Sequence, residues 1–291
     1  MLPRFQTFFF ACVTLLTVFI VLAWHSLDRQ TRFELSQKHL EESIANGAAR
    51  ELGAVLSKLQ EQAHIFADEY LPSLHYMGVH PEDKDYQKQI ISRLQRRFAD
   101  FAAFTLTNSK GESLLQEVEP LIGETCQQDL QHYSQLVHLY GNERWNETYI
   151  HPQPFNYHFD VMAPWSYKKL DGILLVSLHT KTLAQVLSNY QLPGYEFLLI
   201  KKDGSGLIEI TDKGSRDTLT RDNHLSADEL RRIRLSLPIM GTQWTLVSLP
   251  EANFLENFQR QSWIEAGIIM GIVLLLTVIL VWLSWRTMGD S

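Results

Sequence analysis

Cysteine is nearly absent. The 291-residue chain holds two, Cys12 and Cys126, too few for a disulfide scaffold. Basic charge is also short: 26 Lys and Arg face 33 Asp and Glu, a formal net charge of -7. Nucleic-acid binders carry a clustered basic face, so no nucleic-acid partner is expected. Gly-x-Ser-x-Gly, Gly-x-Gly-x-x-Gly and the P-loop are all missing. His75 with His80, and His151 with His158, are close in sequence but lack the spacing of a helical His-Glu-x-x-His site. No metal, no cofactor and no catalytic residue are expected, and the chain reads as a non-enzyme.

What the chain does have is two uncharged apolar runs, residues 8–24 near one end and 266–285 near the other. A membrane span needs about 20 mostly apolar residues; the second run meets that and the first is slightly short. Trp24 edges the first run, and Trp263, Trp282 and Trp285 lie around the second. Amphipathic rings prefer such interfaces. No small-x-small cleavage site follows the first run, so an uncleaved anchor is expected rather than a signal peptide. Arg4 and Arg286 flank the spans on one side, which favours both termini in the cytoplasm; Arg29, Arg32 and Arg260 blunt that bias. Residues 25–261 are then expected outside a bacterial inner membrane, in the periplasm or exterior.

From residue 27 to about residue 71 apolar residues recur at three- and four-residue steps, through Phe33, Leu40, Ile44, Ala48, Leu52, Val55, Leu59, Ala63, Phe66 and Tyr70. That is a helical stripe, expected to continue the first span outward. It suits either packing on its own domain or a dimer seam. A second helix is expected over 84–98. Beyond it the period changes. Residues 101–108 read as a strand, Asn108-Ser109-Lys110-Gly111 as a turn and 112–118 as a returning strand. A helix is expected over 127–140, strands over 145–150, 157–163 and 172–178, and a short helix over 180–190. A smaller block follows. Asp203-Gly204 marks a hairpin between 195–201 and 206–211. Ser226 and Glu229 have capping-box spacing ahead of a helix, and 233–239 and 243–249 form a last hairpin. Antiparallel meanders with helices define an α+β class. Cys126 is expected to be a buried, inert thiol.

With these elements in order, the chain resembles the extracytoplasmic Cache domains of bacterial transmembrane receptors, which are PAS-like. The resemblance covers about residues 27–250. It rests on the long entry helix, on Ser109-Lys110-Gly111 after an apolar strand, and on Ala163-Pro164 followed by Gly172-Ile173-Leu174-Leu175-Val176 and a helix. The later block, with Gly241-Thr242-Gln243-Trp244 in its last hairpin, resembles the smaller module of a double Cache. The organisation this implies is an anchor at 1–26, a membrane-distal module with the long helix at 27–192, a smaller membrane-proximal αβ module at 193–250, and a helix and second span at 251–291. The family implies a sensor of a small extracytoplasmic ligand in a histidine kinase, chemoreceptor or cyclic-dinucleotide enzyme, set in the lipid bilayer as a homodimer. Family members usually carry an output domain after the second span. Here only a short tail follows, so the signal is expected to pass to an output domain or cytoplasmic partner outside this chain. Both a receptor fragment and a stand-alone subunit remain open.

Amino-acid-binding members of the family carry an Arg-x-Trp-Tyr element, a Tyr-x-Asp on the next strand and an Asp on the one after. Here Tyr149-Ile150-His151 stands at the second element and Ser177 at the third; Tyr133 stands near the first without Arg-x-Trp. Two expected carboxylates are missing, which disfavours amino-acid sensing. The candidate ligand-binding residues are therefore an aromatic, weakly polar set: Tyr133, Trp145, Tyr149, His151 and Ser177. Core packing and a solvated turn are the rival explanations of the same residues. Arg144 and Asp160 are further candidates, with Asp160 expected on an exposed sheet face. The alternative function with the same topology is a structural or assembly protein, such as a polysaccharide chain-length regulator.

Overall fold

A computed structural model describes residues 2–115, 124–141, 148, 150 and 157–287. The chain divides into two compact units, 1–41 with 251–291, and 42–250. Both contain part of helix α1 (Leu2–Glu69), a single helix of 68 residues.

In the first unit α1 pairs with α7 (Phe254–Thr287). Both helices are long and apolar enough to cross a membrane, and their apolar windows are almost wholly unburied. The pairing is antiparallel. Ser26 and Ser262 share a buried hydrogen bond of 2.9 Å, and the rings of Phe33 and Phe258 stack with centroids 3.6 Å apart. Arg29 pairs with Glu265 beside that stack. Small hydroxyl residues and a flat ring pair let two helices approach closely.

In the second unit the α1 stripe is buried at Ala45, Ala48, Leu52, Leu56, Ala63 and Phe66. A second helix, α2 (Leu71–Val79), restarts the chain with Pro72 in its first turn. Pro is tolerated there because that N–H has no intrahelical acceptor. The sequence pattern ends the helical stretch near residue 71 and misses this restart. The third helix, α3 (Lys84–Arg97), is capped by Asp83, whose carboxylate accepts from the Tyr86 N–H at 2.9 Å.

Strands β1 (Phe101–Leu106), β2 (His158–Tyr167) and β3 (Leu170–His179) form an antiparallel sheet in the order β1-β3-β2, with α4 (Glu124–Tyr140) packed on one face. The central strand β3 is buried on both faces, which is why residues 173–178 are nearly all apolar. Pro164 does not end its strand, as the sequence pattern expects; β2 runs through it to Tyr167, with Pro164 opposite Ile173. Edge strands tolerate a missing N–H, and β2 is an edge of this sheet. The expected returning strand after Gly111 reduces to one bridge, Thr107 with Ser113, and its residues beyond 115 lie outside the described set.

Helix α5 (Lys181–Asn189) leads to a five-stranded sheet ordered β6-β5-β4-β8-β7. Its strands are β4 (Tyr195–Lys201), β5 (Ile208–Thr211), β6 (Gly214–Ser215), β7 (Leu235–Pro238) and β8 (Trp244–Pro250). A 3₁₀ turn (Arg216–Thr218) follows β6. Helix α6 (Ala227–Arg232) starts in the capping box read from sequence: Ser226 Oγ accepts from the Glu229 N–H at 3.2 Å, and the Glu229 carboxylate accepts from the Ser226 N–H at 2.8 Å. Ser226→Ala is expected to cost about 1 kcal/mol in urea unfolding, the usual value of a lost cap. The α+β class with a long N-terminal helix, antiparallel sheets and a C-terminal apolar helix stands as expected.

Candidate functional site

The α4 face of the three-stranded sheet carries the site. Side chains alternate along a strand, so Asp160 and Met162 on β2 point to the side occupied by Ser177, Leu175 and Ile173 on β3. Met162, Leu175 and Ile173 pack against Cys126, Leu130 and Tyr133 of α4. One rung further along, the apolar pattern breaks. Ala103, Ser177 and Asp160 lie side by side across the three strands. Two small residues and one acid make that rung lower and more polar than its neighbour, Thr105–Leu175–Met162.

Asp160 is buried, at 3% exposure, which corrects the expectation of an exposed sheet face. The physical reason is α4. The sequence does not say which face a helix covers, and α4 lies over the face that bears the carboxylate. The Cys126 thiol donates to Asp160 Oδ2 at 3.7 Å, and His158 Nε2 lies 3.8 Å from Oδ1. A buried carboxylate is costly unless donors or a cation compensate it. Such a group recognises donor-bearing or cationic partners through charge-assisted hydrogen bonds.

Burial, and after it the Asp160 and Asp129 carboxylates, pushes the Cys126 thiol well above its ordinary value. A thiol held protonated is a poor nucleophile, so Cys126 serves as a donor and filler rather than a reactive group. Burial likewise raises the Tyr133 phenol. Its hydroxyl donates to the Met162 carbonyl at 3.2 Å, and Gln60 of α1 donates to the same oxygen. Among the described residues no cluster of His, Cys, Asp or Glu could hold a metal ion.

Of the five candidates read from sequence, Tyr133 and Ser177 are both buried on this face. Trp145, Tyr149 and His151 lie outside the described residues, as does Arg144. Asp160, His158 and Cys126 are the site residues that sequence reasoning underrated. The one available signal was an acid inside the otherwise apolar stretch 159–163. A separate cavity of about 220 Å³ opens toward the end of α4, lined by Ser109, Ser134, His138, Ser166 and Asp171 among others. None of the five candidates lines it.

No family model matches the sequence, and no curated protein matches it. Similar solved structures include extracellular or ligand-binding domains of histidine kinases and chemoreceptors. The sensor domain of the Vibrio cholerae histidine kinase DctB aligns at 11% identity with a TM-score of 0.43, over 74% of this chain and 98% of its own. The ligand-binding domain of the Pseudomonas aeruginosa amino-acid chemoreceptor PctC, solved with GABA, aligns at 13% identity with a TM-score of 0.46, over 74% of this chain and 100% of its own. An extracellular ligand-binding receptor from Desulfohalobium retbaense aligns at 11% identity with a TM-score of 0.44, and there the match spans 39% of the receptor's length.

Proposed function

We propose that this chain is the sensory part of a bacterial membrane receptor. It binds a small extracytoplasmic molecule on the Ala103–Ser177–Asp160 rung and passes the signal inward through α1 and α7. The observation that carries this reading is Asp160, a carboxylate at 3% exposure on a helix-covered sheet face. A protein with a purely structural role gains nothing from an acid there, since an apolar residue of similar size is often neutral or better for stability. That weighs against a chain-length regulator. The ligand is small and presents an amine or another strong donor to Asp160, with Ser177 and Tyr133 beside it. The soluble part lies outside the inner membrane, the chain forms a homodimer, and it has no enzymatic activity of its own. A ligand shifts the receptor only by binding its two states with different affinity.

The test is a thermal-shift screen of small organic amines and their uncharged amide analogues, run on the full chain in detergent micelles. An amine at 100 times its Kd adds about 2.7 kcal/mol, or a melting rise of roughly 5 °C or more. Asp160→Asn is expected to weaken that amine about 100-fold, the usual scale for removing one partner of a buried charged pair. A screen without hits, or hits indifferent to Asp160→Asn, would sink the proposal.

A further inference from the structure

A second buried carboxylate sits in the five-stranded sheet. Glu209 on β5 is 1% exposed, and its side chain faces away from the cluster formed by Ile208, Val247 and Leu249. Arg216, at the start of the 3₁₀ turn, donates to Glu209 Oε2 at 3.2 Å. The same nitrogen, Nη2, donates to the Ile150 carbonyl at 3.1 Å, and the guanidinium lies 5.0 Å from the centre of the Tyr157 ring. Arg216 Nε has no acceptor among the described residues.

Tyr157 immediately precedes β2, the strand carrying His158 and Asp160, and Ile150 bridges Phe159 of that strand. Thr148 is pinned to the five-stranded sheet as well. The Thr148 N–H donates to the Gly241 carbonyl at 3.2 Å, and the Thr148 carbonyl accepts from the Gln243 N–H at 2.9 Å. Next to that bridge Trp244 packs edge-on against Phe159, with ring centroids 6.0 Å apart.

We propose that Arg216, held by Glu209, latches Ile150 and Tyr157, which precede β2, onto the five-stranded sheet, and that a proton on Glu209 releases the latch and so makes the ligand face pH-responsive. The pH response of ligand binding rests on reading the Asp160 face as the ligand site; the latch itself does not. Arg216 is the sole cation in hydrogen-bond contact with Glu209 among the described residues. From β4 Lys201 also favours its charge, while Asp203 in the following turn opposes it. The charged residue of α5, Lys181, is exposed to solvent, and Tyr157 contributes its ring.

Burial, opposed by Arg216, pushes the Glu209 carboxyl up to about 7. Two reference states give opposite signs. With the latch open and Glu209 still buried, Arg216 no longer favours the anion, so protonation favours opening and the latch tightens as pH rises. Against the unfolded chain, where the carboxyl returns to its ordinary value of 4.5, the raised value stabilises the fold at low pH. That contribution is lost as pH rises from 4.5 through about 7.

The test uses the full chain in detergent without ligand, with the proton as the probe. Hydrogen exchange is followed at the Thr148 and Gln243 amides from about pH 5.5 to about pH 8.5, corrected for intrinsic rates, and infrared spectra follow the carboxylic-acid band. Wild-type protection at both amides is expected to fall about tenfold toward the acid end, as an acid band titrates near neutrality. Glu209→Gln is expected to give low, pH-independent protection and to remove the band. A flat wild-type profile overturns the latch, and so does a Glu209→Gln chain that keeps the wild-type profile. Should Glu209→Gln fail to fold, the wild-type titration decides alone. Because no ligand is present, a flat profile leaves the Asp160 site standing, and failure of the amine screen leaves the latch standing.

Discussion

Replacing Gly172 with alanine is expected to cost about 3 kcal/mol or more, the upper end of overpacking penalties. A Cβ at Gly172 would sit 1.8 Å from the Thr107 carbonyl oxygen and 2.7 Å from its carbon. Both are backbone atoms, so no side chain can turn aside to make room. The crossing matters because Thr107 and Ile173 are hydrogen-bonded there, the Thr107 N–H donating to the Ile173 carbonyl at 2.9 Å. Alanine therefore separates β1 from the central strand β3, one rung from Leu175 and two from Ser177. Unfolding of the full chain in urea, followed by circular dichroism, measures the loss. Gly53→Ala is the control. Nothing lies within 4 Å of its added Cβ, and helix-interior alanine is expected to gain about 0.5–1 kcal/mol.

Trp244→Ala is expected to cost about 3–5 kcal/mol, the range for emptying a large aromatic site. Trp244 is fully buried at the start of β8 and meets Phe159 of the three-stranded sheet edge-on. Its indole N–H has no acceptor among the described residues, so Trp244→Phe keeps most of the contact and gives up no hydrogen bond. The phenylalanine variant is expected to lose about 1–2 kcal/mol, clearly less than the alanine variant. Equal losses for the two would mean that the indole N–H, not ring packing, holds the position. The same urea experiment reads both.

Helices and hairpins were legible where local chemistry decides them. The stripe from Phe33 to Phe66, the Asp203-Gly204 turn and the Ser226/Glu229 box each announce an element by spacing or residue type, and the structure contains all three. Tertiary context decided the rest. Pro164 looks like a strand terminator until β2 proves to be an edge strand. Pro72 looks like a helix stop and is in fact a first-turn residue of α2. β6 is two residues long, too short for any period to register.

The site divides in the same way. Ser177 and Tyr133 were legible only through the family resemblance, Ser177 at the position of its last Asp and Tyr133 near its first element. Asp160 interrupts an apolar run, but its meaning depends on which face α4 covers, and that is a long-range fact. Cys126 on α4 is more than 30 residues from His158 and Asp160 on β2, and no local spacing records their meeting. Glu209 and Arg216 are seven residues apart, and the intervening turn at β6 brings them together.

Hydrogen exchange of the full chain, with and without the amine that raises its melting temperature, tests most directly whether the Asp160 rung is the receptor face. A ligand held there slows exchange in residues 158–162 of β2, in 174–178 of β3 and in α4, and Asp160→Asn abolishes the slowing. Slowing confined to residues 193–250, or slowing in β2 and β3 that survives Asp160→Asn, would contradict it.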